Sequence, residues 1–424
     1  MDAGFADRDI TPRRLPLRTY LNVADKVMDP LWARAAVFHS PGTTVAFVAL
    51  DVVIVERAVV EAIRRQAQRV AALRDAAIMV SATHNHACPA VIERPSFRSE
   101  PEYIEFMVAQ AAGALEDAAR ALAPVDLLAG STLEANVSFN RRFVTRDGCV
   151  RTQPSLTGAN DNILYREGPI DPEVGVLAAR KPDGALAGLL VNFGCHACHH
   201  MGQLSAGYPG VMARELRNRL GPGVGVVFLN GPCGNVIHRD YLNPAQVDTM
   251  EVIGTALARA VERVLPHLAV QPADALRAVT ATRHLPYRDF AAAERAFARP
   301  EVQRNVFGFL ISKGWYDYAA LQRLAAEHGG GEDVEIQTFR LGDTAFVAIP
   351  AEYFCEFGLR IKERSPWRRT WVASVSNGWV GYVPTREAFQ RPGGHETTTA
   401  LWSKMSPESG DAMADTALEL LAGL

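Results

Sequence analysis

The sequence predicts an α/β protein, a large mixed β-sheet flanked by helices, built as a single domain over residues 1–424. Three observations predict it. Short apolar runs alternate with amphipathic stretches of helical period, the runs are apolar throughout as in strands covered on both faces, and each ends in a polar turn carrying Gly or His. A chain of 424 residues with 48% apolar and 21% charged residues can bury one continuous core.

Taken in order, "TTVAFVALDVVIVE" (43–56) reads as a buried strand and leads into the amphipathic "RAVVEAIRRQAQRVAAL" (57–73). "AAIMVSA" is the next strand and delivers "THNHACPA"; "PEYIEFMVAQAAGALEDAARAL" (101–122) is a long helix. "ALAGLLVNFG" ends in "CHACHH", and a shorter helix follows, started by Pro209 and ended by Gly221. "GVGVVFLNG" ends in "PCGNVIH". Residues 287–332 change in composition and read as a helical insertion or lid, whose aromatic stretch Phe307–Leu321 is a wall over a site or a contact between copies of the chain. "EIQTFRLGDTAFVAIP" is a hairpin turning at Gly342 and Asp343, and it hands "AEYFCEFG" to a helix start. No internal repeat is visible in the sequence.

A net charge of −3 from interspersed acids and bases leaves no footprint for nucleic acid. No run is long and apolar enough for a membrane span, and the start "MDAGFADRDITPRR" has no signal-peptide pattern, so a cytoplasmic protein without stable membrane association is expected. Six cysteines in such a length are no disulfide scaffold.

In α/β sheets ligands collect beyond the carboxyl ends of strands, where the polar turns fall. His84 and His86, two apart, can face one side of an extended segment, as a metal clamp, a catalytic pair or plain turn residues. His196 is the first histidine after its strand. Glu352 follows the hairpin and can complete a two-histidine, one-carboxylate site, or act as a helix N-terminal acid. Cys233, between Pro232 and Gly234, is a nucleophile, a lining residue or a bystander.

In this order "GFADRDITP", "SATHNHACPA", "VNFGCHACHHMG", "GYPG", "FLNGPCGNV", "VAIPAEYFCEFG" and "GWVGYVPTREAF" resemble the neutral/alkaline non-lysosomal ceramidase family, most of all its shorter bacterial relatives. The resemblance implies a zinc amidase on an α/β catalytic domain with a mixed sheet. "SATHNH" is similar to the family's "SATHTH", which makes His84 a zinc ligand and His86 its neighbour in the site. "NFGCH" is similar to "NFAxH" and implies His196; "PAE" implies Glu352; "GYV" implies Tyr382, the tyrosine that reaches the metal. The sequence departs from the family's serine loop "GDxSPN", with Cys233 at that place. It also ends without the family's additional C-terminal β-domain, so a sphingolipid is not the expected substrate.

The reading that follows is one Zn²⁺ per chain and a zinc-bound water that cleaves an amide, less readily an ester, of a small polar or amphiphilic metabolite. His86 is the candidate proton carrier, and Tyr382 a weak ligand or oxyanion donor. Arg142 of "NRRF" is a candidate for a substrate carboxylate or phosphate, or one half of a structural ion pair. His199, and His395 of "GGHETTT", are candidate pocket residues. Two alternatives stand beside it: a metal-free hydrolase with Cys233 as nucleophile and His86 or His199 as base, and a non-catalytic binding protein with a structural metal site.

Overall fold

The computed structural model of the chain describes all residues except 20–21, 94–97, 155–161, 201, 273–274 and 304–315, so most of the aromatic stretch expected to cover the site lies outside the described residues.

The mixed α/β class holds, and the long strands divide among three mixed sheets rather than one. In the first sheet, β1 (Asp2–Asp9), β2 (Trp32–Ser40) and β3 (Thr43–Leu50) form an antiparallel meander. Helix α1 (Arg57–Ala67) then crosses over to β4 (Ala77–Ala82), which pairs parallel with β3, and α2 (Pro101–Arg120) closes the unit. The second sheet repeats this path. β5 (Asp126–Leu133), β6 (Glu173–Arg180) and β7 (Leu186–Phe193) are antiparallel; α3 (Gly207–Leu220) crosses to a parallel β8 (Gly225–Asn230), and α4 (Met250–Val264) follows.

The third sheet repeats it again. β9 (Leu276–Pro286) and β10 (Gly331–Leu341) pair antiparallel, with α5 (Phe290–Phe297) and α6 (Tyr318–Glu327) inserted between them. β11 (Thr344–Ala348) pairs antiparallel with β10 through a turn at Gly342 and Asp343. Helix α7 (Cys355–Arg364) crosses to β12 (Arg369–Ala373), parallel to β11, and α8 (Ser409–Ala422) ends the unit. The chain is thus three copies of one β-β-β-α-β-α path. The repetition is in topology, carried by strand pairing between residues far apart, and leaves no shared motif in the sequence.

The three sheets turn one face towards a common core, where Phe47 lies 5.0 Å from Phe339 and 5.4 Å from Phe346, ring centre to ring centre. Such pairs contribute about 0.5–1.5 kcal/mol beyond the area they bury. The first sheet docks on the second through Phe5, which lies over the register-paired Gly188 and Gly225; a Cβ at either position would fall 2.5 or 2.3 Å from Phe5 atoms. The outer faces are covered by the helix pairs α1–α2, α3–α4 and α7–α8.

Where the ends of β4, β8 and β12 meet, hydrogen bonds close a ring. Ala82 N–H donates to Val375 O at 3.2 Å, Ser374 N–H to Asn230 O at 2.8 Å, and the Asn230 side-chain amide to Thr83 O at 3.1 Å. The loops leaving this ring carry the candidate site. Among the described residues no helix is long and apolar enough to cross a membrane.

Candidate metal centre

Each unit contributes to one buried cluster. His84 lies two residues past β4 in the left-handed region, at φ 61°, a conformation that costs a non-glycine residue about 1 kcal/mol or more and needs support from its surroundings. That support is visible: His84 Nδ1 is 2.7 Å from Val53 O, on the loop after β3. His196 follows β7, with its Nδ1 2.7 Å from Cys233 O and 3.0 Å from Val236 O. A carbonyl only accepts, so both Nδ1 atoms carry the proton and both Nε2 atoms present bare lone pairs. Glu352 and Tyr382 are brought to one side of their short parallel ladder by direct pairing.

The bare atoms converge. Glu352 Oε2 is 3.3 Å from His84 Nε2 and 3.3 Å from His196 Nε2, and His86 Nε2 is 3.5 Å from His84 Nε2. The Tyr382 hydroxyl is 3.4 Å from His196 Nε2. A tetrahedral zinc with N and O ligands at about 2.0–2.1 Å sets neighbouring ligand atoms roughly 3.3 Å apart. The two separations made by Glu352 match that spacing, and one ligand atom each of His84, His86 and His196 falls within 4.8 Å of the others, a group that could hold a metal ion. The supporting bonds also fit: metal-binding histidines donate their other N–H to a carbonyl or carboxylate, and the Trp379 indole donates to the remaining Glu352 oxygen at 3.0 Å.

Charge and burial explain the protonation states. Burial opposes ionisation of Glu352. Where His84 and His196 carry a proton towards it, charge at His84 first and the hydrogen bonds of both rings hold its carboxyl well below the ordinary range, and a cation that displaced those protons would supply the same positive charge. Burial lowers His196 to about 3, with Arg141 adding to the effect, and lowers His86 for the same first reason, with His84 and His196 next. These rings are neutral ligands or proton acceptors at pH 7. His84, His196, Glu352 and Tyr382 are at most 5% exposed, and His86 is the half-buried member, on the accessible side of the cluster.

The other sequence candidates fall in three places. Arg142 is fully buried, with its guanidinium taken by Glu167 and by Glu396 at 2.8 Å, the arrangement of the ion-pair alternative. Cys233 is fully buried, and its contribution to the cluster is the carbonyl that fixes His196; burial first and Glu352 second push its thiol well above the usual range. His395 stands 5.4 Å from the Tyr382 ring and 5.1 Å from Trp402, lowered to about 4 by burial. His199 stacks on His238 at 3.8 Å, outside the cluster.

Sequence reasoning missed Arg141, Glu396 and Trp379. Arg141 donates to Tyr382 Oη at 3.0 Å, to Gly234 O at 2.8 Å and to Glu396 at 2.8 Å. Both arginines of "NRRF" converge on Glu396, and nothing local says that Arg141 is the one that also reaches Tyr382.

No family model and no curated protein sequence matches the chain. Solved structures do. A crystal structure of neutral ceramidase from Pseudomonas aeruginosa superposes with a TM-score of 0.74 at 20% identity, covering 100% of this chain and 74% of that one. The fold is ceramidase-like. A second structure, described as ceramidase complexed with C2, gives a TM-score of 0.74 at 18% identity over 100% of this chain and 75% of that one. Both superpositions take in the whole chain, so the likeness is one of overall fold.

Proposed function

We propose that this protein is a zinc-dependent hydrolase that cleaves an amide, less readily an ester, of a small polar or amphiphilic metabolite. The observation that carries the reading is the meeting of two imidazole Nε2 atoms on one carboxylate oxygen, each at 3.3 Å, in a buried setting. His84, His196 and Glu352 would hold the ion, with Tyr382 beside it and His86 on its accessible side. When bound there, zinc supplies Lewis-acid polarisation of a carbonyl and brings the pKa of water towards neutrality. The likeness to two ceramidase structures supports an amide as the scissile bond.

The chain's own groups supply the rest. Tyr382, kept protonated by burial and by Glu352, donates to the oxygen that gains charge as the carbonyl becomes tetrahedral. Arg141 holds the phenol from behind. His86, neutral at working pH, takes a proton on the accessible side and returns it to the leaving nitrogen. The cysteine alternative is disfavoured because a nucleophilic thiol needs a lowered pKa and access, and Cys233 has neither.

The test is elemental analysis of purified wild type, His84→Ala and His196→Ala, with amidase assays before and after chelation. One zinc per chain, lost in both variants together with activity, is the expected result. Full activity in metal-free wild type would overturn the reading, and zinc without turnover across simple amides and esters would favour the binding-protein alternative.

A further inference from the structure

Two chain segments leave the metal cluster side by side. His196 is bridged in parallel to Ile237, and beyond these positions the same segments stack His199 on His238, ring centres 3.8 Å apart and planes 22° apart. Three residues of chain span at most about 10 Å, so this pair begins within a small molecule's length of His196.

Both rings are more than nine-tenths buried, His199 being 8% and His238 6% exposed. Each has one nitrogen tied to Asp248. His199 Nε2 is 2.6 Å from the Asp248 main-chain oxygen, and His238 Nδ1 is 3.0 Å from Asp248 Oδ2. Both partners only accept, since the carboxylate is also bound by Arg239 at 2.8 and 2.5 Å, so those two nitrogens carry the protons. The opposite atoms, His199 Nδ1 and His238 Nε2, are left as bare lone pairs, buried and without a hydrogen-bond partner among the described residues. A buried acceptor without a donor costs about 1–3 kcal/mol, and here two stand together.

The stacking says what they suit. Each bare nitrogen calls for an N–H or O–H donor, and with the rings stacked 3.8 Å apart two donors of one ligand can serve both. His199, His238 and Asp248 also have ligand atoms within 4.8 Å of one another, so a cation is the competing occupant, decided by the zinc count below. Two adjacent N–H or O–H donors match that layout. A carboxylate does not, because it offers no proton at neutral pH, and the Asp248 and Arg239 charges behind the rings already answer one another. Burial first, and His238 next, hold His199 down to about 3, so it offers no cation to an anion at neutral pH.

We propose that His199 and His238 form a substrate subsite that accepts hydrogen bonds from a donor group, an ammonium, amide or hydroxyl cluster, at the end of the substrate remote from the scissile bond. This rests on the hydrolase reading for its word substrate, and it reverses the anionic end expected from Arg142.

The test titrates N-methanesulfonyl α,ω-diamines of increasing length, and ω-methanesulfonamido carboxylates of the same lengths, into metal-loaded wild type, His199→Phe and His238→Phe. Sulfonamides resist amidases, so binding is read without turnover. The diamine series is expected to bind about tenfold or more tighter than the carboxylates and to lose about tenfold in either variant, the worth of one lost charge-assisted hydrogen bond. Equal or tighter binding of carboxylates, or diamine affinity unchanged in the variants, overturns the proposal. So does a second equivalent of zinc that disappears in the variants, because the pair would then hold a cation itself. Should a variant fail to fold, imidazole ¹⁵N spectra of wild type answer the same question: unprotonated His199 Nδ1 and His238 Nε2 that shift on adding the amines are expected, and protonated ones at pH 7 refute it. Binding that survives in a protein with no turnover would count against the hydrolase reading alone.

Discussion

The Arg141 guanidinium donates to the Tyr382 hydroxyl at 3.0 Å while its charge is answered by Glu396 on the far side. The phenolic oxygen therefore accepts from Arg141 and keeps its own hydrogen for the site. Tyr382→Phe removes that donor alone. It is expected to lower kcat by about a hundredfold, the usual cost of one oxyanion donor, with zinc content unchanged. Arg141→Met is expected to lower kcat as well, by releasing the phenol from its orientation. Steady-state kinetics beside metal analysis checks both; an undiminished kcat in Tyr382→Phe would remove the phenol from the chemistry.

Cys233 offers the sharpest separation between metal and thiol chemistry. Its thiol is buried and its carbonyl is what His196 uses, so Cys233→Ala keeps the working atom. The variant should retain kcat within about threefold, because no covalent step passes through sulfur. It should lose about 1–2 kcal/mol of stability from the missing buried atom. Abolished turnover in a variant that still binds zinc and unfolds cooperatively would restore the nucleophile.

Local signals were the legible ones. Apolar runs ending in histidine place His84 after β4 and His196 after β7, where the fold puts them, because a strand and the turn beyond it are read from neighbouring residues. The division into three sheets could not be read that way. Whether β9 joins β10 or an earlier strand is decided by pairing and core contacts between distant residues, such as Phe47 with Phe339. The same limit hid the equivalences between units. The third residue past β7 is His196, whereas the third residue past β3 is Val53, which serves His84 through a main-chain oxygen that no side-chain pattern announces. Glu396 stayed unseen beside His395 because its meaning lies in Arg141 and Arg142, more than two hundred residues away in sequence.

Asn230 joins two ligand loops. Its side-chain amide donates to Thr83 O and Cys195 O, each at 3.1 Å, and its side-chain oxygen accepts from Cys195 N–H at 3.1 Å. Thr83 precedes His84 and Cys195 precedes His196. Asn230→Ala leaves Thr83 O and the Cys195 N–H without this partner in a fully buried place, while Cys195 O keeps the Tyr208 hydroxyl at 2.8 Å, and the change should cost about 2 kcal/mol or more in stability. Zinc affinity should fall with it, since both imidazoles lose their anchorage. Asn230→Asp, which keeps the acceptor and the volume, should retain less than half of the lost stability because two carbonyls would face a carboxylate. Denaturant titration and competition with a zinc chelator measure the two effects; loss of stability with zinc affinity intact would show that the loops hold the ligands without Asn230.

Glu396 ties the site to pH. It is fully buried, and burial alone would raise its carboxyl; Arg141 and Arg142 more than reverse this and hold it at about 2. A carboxyl depressed on folding stabilises the native state above its unfolded value, near 4.3, and that contribution is lost as pH falls through the folded value. The linked contribution at neutral pH is of the order of 3 kcal/mol. Glu396→Gln should therefore lower the melting temperature most above about pH 5, with the gap to wild type narrowing between about pH 4.5 and 2. The variant also leaves Arg141 without its carboxylate, while Arg142 keeps Glu167. The unbalanced charge beside Tyr382 should weaken zinc binding at pH 7 even at temperatures where the variant is fully folded. Calorimetric melting across the pH range, with zinc affinity measured on the folded variant, checks both halves. A melting-temperature gap that persists undiminished down to pH 2 would show that the carboxyl stabilises the fold through packing and not through its charge.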